Sequence, residues 1–142
     1  MSEDRLWSWL RGRLPPGHYQ RVENHACGPG TPDVNFCVDA VEAWMELKYR
    51  AGECRPDTIA FRDGYGLRPD QKIWIRDRVE AGGKVTIVAG VGHYIHFLPG
   101  RYAMEFNRLT YRELRNCTTY RTIDRRKPPI LTSGTLLALV SG

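Results

Sequence analysis

Asp33 follows Pro32, and thirteen residues later comes Glu46-Leu47-Lys48, with Gln71 opening a later helical pattern. Spacing gives these residues their chemical interest. Side chains alternate along a strand, so Glu46 and Lys48 would share one face while Met45, Leu47 and Tyr49 share the other. Asp33 leads into the apolar run Val34 to Val38. If that run pairs with 43 to 49, neighbouring backbones lie about 4.8 Å apart. Two carboxylates and an ammonium then converge, a set suited to holding a divalent cation against a phosphodiester. The same residues also admit a structural reading: Asp33 and Glu46 as surface acids, Lys48 as the ion-pair partner of Glu46, and Gln71 as a hydrogen-bonding group at a helix start. His93 and His96 flank Tyr94-Ile95 in an apolar stretch and read as core or edge histidines.

The elements that must position these groups are legible around them. Residues 3 to 13 read as a helix, with Leu6, Trp7, Leu10 and Leu14 on one stripe, Ser2 as cap and Glu3 and Asp4 at the positive end of the dipole. Pro15-Pro16-Gly17 ends it. A short strand over 18 to 23 precedes the loop Cys27-Gly28-Pro29-Gly30-Thr31-Pro32, which feeds Asp33. Strands 33 to 39 and 43 to 49 form a hairpin around Asp39 to Glu42. Residues 50 to 67, with four glycines and prolines, read as an irregular connection free to move or to order on substrate. Pro69 and Gly82-Gly83 punctuate a helix over 69 to 81 whose inner stripe is Gln71, Trp74, Ile75 and Val79. A strand over 84 to 89, a Gly90-Val91-Gly92 turn and a strand over 94 to 98 follow, then a helical pattern from Pro99 to Asn116. Residues 117 to 142 carry no decisive pattern.

Composition bounds the class. At 142 residues with 42% hydrophobic content the chain can bury a substantial core. No apolar run approaches the ~20 residues needed to span a bilayer, and the N-terminus lacks a secretory leader's basic start, so a cytoplasmic protein is expected. Cys27, Cys37, Cys54 and Cys117 have no CxxC spacing, which points to reduced thiols rather than a zinc site. Net charge is +5, and 17 of the 21 basic residues are arginine, whose planar fork suits phosphate. A polyanionic partner, nucleic acid first, is the expectation.

With Gly30-Thr31-Pro32-Asp33-Val34, Trp44-Met45-Glu46-Leu47-Lys48 and Leu67 through Gln71 to Trp74 in this order, the chain resembles the PD-(D/E)xK nuclease superfamily. Within it the likeness is to small stand-alone phage and bacterial VRR-NUC proteins. The resemblance spans residues 1 to 98. It implies an α/β restriction-endonuclease-like core in the order α-β-β-β-α-β-β, a mixed central sheet flanked by helices, and one nuclease domain over 1 to 142 whose extension, 99 to 142, could form a dimer. It further implies a Mg²⁺- or Mn²⁺-dependent DNA endonuclease in a bacterial or phage-infected cell, acting on branched DNA such as Holliday junctions, as a homodimer. Asp33, Glu46 and the Leu47 carbonyl would hold the metal, Lys48 would position water, and Gln71 would bond that water or the phosphate. Glu3 is the expected first-helix acid and Glu23 the alternative third acid. Arg50, Arg68 and Lys72 are the expected DNA contacts. A second reading from another class is a non-catalytic DNA-binding or assembly protein retaining the fold, motivated by Arg121, Arg125, Arg126 and Lys127 ahead of the apolar 130 to 140 segment.

Overall fold

The hairpin that carries the two acids is closed by Asp39 and Ala40, both in the left-handed region at φ 48° and 65°. Two such residues make a type I′ turn, whose twist matches that of the flanking strands. In this computed structural model, which describes residues 2–22, 28–119 and 122–141, the hairpin strands are β2 (Val34–Val38) and β3 (Val41–Arg50). Strand β3 thus starts two residues earlier than its apolar pattern suggests. Helix α1 (Glu3–Arg11) and β1 (His18–Arg21) precede them. Helix α2 (Pro69–Glu80), β4 (Val85–Val91) and β5 (Tyr94–Pro99) follow, then a 3₁₀ stretch (Gly100–Arg108), α3 (Tyr111–Asn116), β6 (Ile123–Asp124) and α4 (Ser133–Val140). The α-β-β-β-α-β-β order expected is present.

The sheet runs β1-β2-β3-β4-β5-β6. Neighbours are antiparallel except β3 and β4, which are parallel and joined through α2. The sheet is therefore mixed, with helices on both faces. All seven residues of β4 are buried, as a strand covered on both faces requires. One face packs Val34, Phe36, Met45, Leu47, Ile95 and Phe97 against Leu6, Trp7 and Leu10 of α1 and Leu136, Leu139 and Val140 of α4. The other packs Ile87, Ala89, Val91 and Leu98 against Ile75 of α2, Phe106 of the 3₁₀ stretch and Leu114 of α3.

Several expectations are corrected. Gly90 and Val91 extend β4 rather than turning the chain. Gly90 belongs there because a Cβ would stand 2.7 Å from the Tyr49 ring, and the reversal falls at Gly92, at φ 58°. The helical pattern beyond Pro99 divides into the 3₁₀ stretch and α3, since Thr110 starts a new helix by accepting from Glu113 N at 3.2 Å. The connection over 50 to 67 is tied down. Arg50 Nη1 donates to Ala60 O at 3.1 Å, Ile59 bridges Thr110, and the buried Asn107 side chain bonds Leu67 at both its N–H and its carbonyl at 2.8 Å. Cys37, Cys54 and Cys117 are free thiols. Cys27 lies outside the described residues.

Candidate active site

The site begins where β2 does. Val34 is paired with Met45, so from Glu46 onward β3 keeps β4 on one side and has no paired strand on the other among the described residues. Asp33 stands at this step. Its main-chain oxygen still accepts from Val22 N at 2.8 Å, holding it to the β1 end, while its side-chain Oδ2 accepts the Leu47 N–H at 2.8 Å. The carboxylate thus satisfies a strand donor that β2 no longer reaches. The N–H and C=O of one strand residue point the same way, so the Leu47 carbonyl lies on this open edge as well.

Glu46 projects from the face opposite α1 and is 1% exposed. Neither of its carboxylate oxygens has a hydrogen-bond partner among the described residues. Burial, then hydrogen bonding to Asp33, then the charge of Asp33 hold its pKa well above the ordinary carboxylate range, with Lys48 opposing. The contact with Asp33 is a hydrogen bond only when a proton sits between the two carboxyls; with both ionised it is a repulsion. Lys48 shares this face at 6% exposed, and its ammonium reaches round the open edge to Glu3 Oε1 at 3.9 Å. In this notch, the open edge of β3 beside Asp33, the ion pair among the described residues is therefore Lys48 with Glu3 rather than with Glu46. Burial raises the Glu3 pKa, Lys48 draws it down and Asp33 pushes it up again. Glu3, Asp33, Glu46 and Lys48 are one electrostatic unit. Beside them Arg21 pairs with Asp4 at 3.0 Å.

Gln71 is buried, and its Oε1 accepts the Arg68 N–H at 2.9 Å, capping α2. No bond joins it to Asp33, Glu46 or Lys48 among the described residues. The start of its helix packs on the loop before Asp33 at Gly30, whose backbone at φ 83° lies so close that a Cβ would stand 2.3 Å from Asp70 O. Of the expected DNA contacts, Arg50 is committed to Cys54 Sγ and Ala60 O, each at 3.1 Å. Arg68 pairs with Asp70 at 3.2 Å, and Lys72 is half-buried on the same helix turn. Glu23 lies outside the described residues, as does His25.

Among the described residues no three His, Cys, Asp or Glu side chains are grouped as around a metal ion. The donor chemistry nonetheless fits a hard cation: two carboxylates and a main-chain carbonyl, one carboxylate buried with both oxygens partnerless. Sequence reasoning read His96 as a core residue and missed its polar surroundings. Its Nδ1 lies 2.9 Å from Thr122 Oγ1 and its Nε2 2.9 Å from the Tyr111 hydroxyl. Neither partner is near it in sequence, so no local signal could have revealed the set.

No protein-family model matches the chain, and no curated protein does. Among solved structures it is similar to the Holliday junction resolvase Hjc of Archaeoglobus fulgidus, at 14% identity over 96% of each chain with a TM-score of 0.49. Among the described residues no helix is long and apolar enough to cross a membrane.

Proposed function

We propose that this protein is a divalent-metal-dependent endonuclease that hydrolyses DNA phosphodiesters, selects branched DNA of the Holliday-junction kind and works as a homodimer. The observation that carries the reading is Glu46: a buried carboxylate with both oxygens unbonded, set against Asp33 at the end of a neighbouring strand. Such a group is costly while ionised, and a bound cation or a proton shared with Asp33 would offset that cost. Asp33, Glu46 and the Leu47 carbonyl would hold Mg²⁺ or Mn²⁺, with Glu3 the candidate third acid. When bound, the ion would supply a water of lowered pKa and neutralise charge on the phosphate.

The chain's own groups have distinct tasks. Asp33 keeps its orientation through the Leu47 N–H, so it presents a fixed oxygen to the ligand side. Lys48 is positioned by Glu3 and offers its ammonium to the attacking water or to the charge developing on the phosphate. Gln71, with its carbonyl spent on the helix cap, has its amide N–H₂ left to donate to a phosphate oxygen. A two-fold pair of such sites suits symmetric cutting of a four-way junction.

The test is cleavage of four-way, flap and linear duplex substrates with Mg²⁺ and with chelator. Metal-dependent cutting of the four-way substrate that is lost in Asp33→Asn and Glu46→Gln is the expected result. No cutting of any substrate, or cutting unaffected by both changes, overturns the reading. Sedimentation decides the dimer. Of the basic residues that motivate the non-catalytic alternative, Arg126 is bonded to Asp124 at 3.0 Å, Arg125 Nη2 to Gly92 O at 2.5 Å and Lys127 is exposed, while Arg121 lies outside the described residues.

A further inference from the structure

A second concavity opens on the same sheet face as Glu46 and Lys48, where β4 and β5 meet α3. It encloses about 480 Å³, within the range of small-molecule sites, and none of the four notch residues lines it. Its walls are aromatic and basic: Tyr94, Tyr111, His96, Arg115 and Arg126, with Glu53 as the one carboxylate among the described lining residues.

Two of these groups are built as fixed surfaces. Tyr94 is 40% exposed, accepts at its hydroxyl from Arg126 Nη2 at 3.0 Å and has its ring centre 5.5 Å from that guanidinium, which Asp124 holds in turn. Tyr111 is fixed by His96, itself 1% exposed and anchored by Thr122. Arg115 lies 5.2 Å from the Tyr111 ring centre and has no carboxylate partner among the described residues. A braced, exposed aromatic ring and an uncompensated guanidinium in one cavity match a planar ring linked to an anion.

Register fixes where the concavity lies. Lys48 pairs with Ala89, and Ala89 with His96, so Lys48 and His96 point from the same face two strands apart. Their Cα atoms are roughly 10 Å apart at ~4.8 Å per strand. At ~3.4 Å per stacked nucleotide, that is two or three nucleotides.

We propose that this groove binds one unpaired nucleotide, its base stacked on Tyr94 and its phosphate held by Arg115, two or three positions along the strand from the bond facing Glu46 and Lys48. The position along the strand rests on the nuclease reading; the binding does not. Glu53 supplies an acceptor for a base amino group or sugar hydroxyl, and Arg126 keeps the stacking ring still.

Titration of the full chain with deoxyadenosine monophosphate in chelator, followed by NMR shifts of the tyrosine and histidine rings, tests the binding. Saturable binding is expected, weakened about tenfold by Tyr94→Ala and by Arg115→Ala, kept within about twofold by Tyr94→Phe, and unchanged by Asp33→Asn. Deoxyribose 5-phosphate should bind about tenfold more weakly. No saturation at millimolar nucleotide, equal binding of the base-free sugar phosphate, or indifference to both alanine changes overturns the proposal. A branched substrate with an abasic residue two or three nucleotides from the cut separates a strand-borne nucleotide from a free one. Slower cutting than of the intact strand supports the placement, and equal cutting refutes it. Absence of cutting with every substrate, alongside nucleotide binding as described, tells against the nuclease reading and leaves the site standing as one for a free nucleotide.

Discussion

Glu46→Gln separates a metal site from an ordinary buried acid. The Glu46 residue is 1% exposed, its carboxylate is unbonded at both oxygens among the described residues, and it faces Asp33. Folding raises its proton affinity through burial first and Asp33 second. An acid raised in this way stabilises the native state less as pH climbs from the ordinary carboxylate value toward the raised one, because the unfolded chain ionises first. Glutamine keeps the shape, removes the charge and can donate an amide N–H to Asp33. A buried charged group without partners costs on the order of 2 kcal/mol. For a chain of this size that corresponds to a rise in Tm of about 4 to 8 °C at neutral pH in chelator, at roughly 2 to 4 °C per kcal/mol. The gain should shrink at pH 5, where more of Glu46 is already protonated. With Mg²⁺ or Mn²⁺ at a hundred times Kd the natural protein should gain about 2.7 kcal/mol and the variant little. Thermal melts at two pH values, with and without metal, read all of this. A Tm that falls in chelator, or a metal effect equal in both proteins, would refute the reasoning.

Asp33→Ala and Asp33→Asn both remove the charge beside Glu46, but only alanine strands the Leu47 N–H; alanine should be the less stable of the two by about 1 to 3 kcal/mol in urea unfolding. Ala40 sits at φ 65° in an exposed turn, so Ala40→Gly should stabilise by about 1 kcal/mol, seen as a higher urea midpoint at unchanged slope. His96 is held at a pKa of about 4 by burial and by Arg115. Its folded value lies below the unfolded one, so native stability is lost as pH falls from about 6.5 toward 4. An NMR titration midpoint for His96 near 6.5 would contradict its enclosure between Tyr111 and Thr122. Gly30→Ala should destabilise by more than 1 kcal/mol through φ 83° and the Asp70 carbonyl, measured by thermal melting.

Much of the candidate site was readable because it rests on short-range rules. Alternation put Glu46 and Lys48 on one face and Met45, Leu47 and Tyr49 on the other, and helical spacing put Glu3 on the stripe of Leu6, Trp7 and Leu10. The hairpin pairing, the helix at Pro69 and its glycine stop followed from local turn and cap chemistry. What was not readable depends on distant partners. Strand β6 is two residues long and exists only through its pairing with Tyr94 and Ile95. Helix α4 ends in five consecutive apolar residues, so no periodicity marks it, and its buried Leu136, Leu139 and Val140 are chosen by the sheet face they meet. Gly90 looked like a turn residue because its reason for being glycine, the Tyr49 ring, lies on another strand. The Lys48–Glu3 pairing was hidden because it joins two segments distant in sequence, and β2 begins only at Val34, opposite Met45.

The contact of Gly30 with the start of α2 has a mechanical meaning. Pressed against the Asp70 carbonyl with no side chain between, the segment leading to Asp33 is riveted to the helix that bears Gln71, although the two are some forty residues apart along the chain. Any side chain added at residue 30 would therefore prise the loop before Asp33 away from the first turn of that helix.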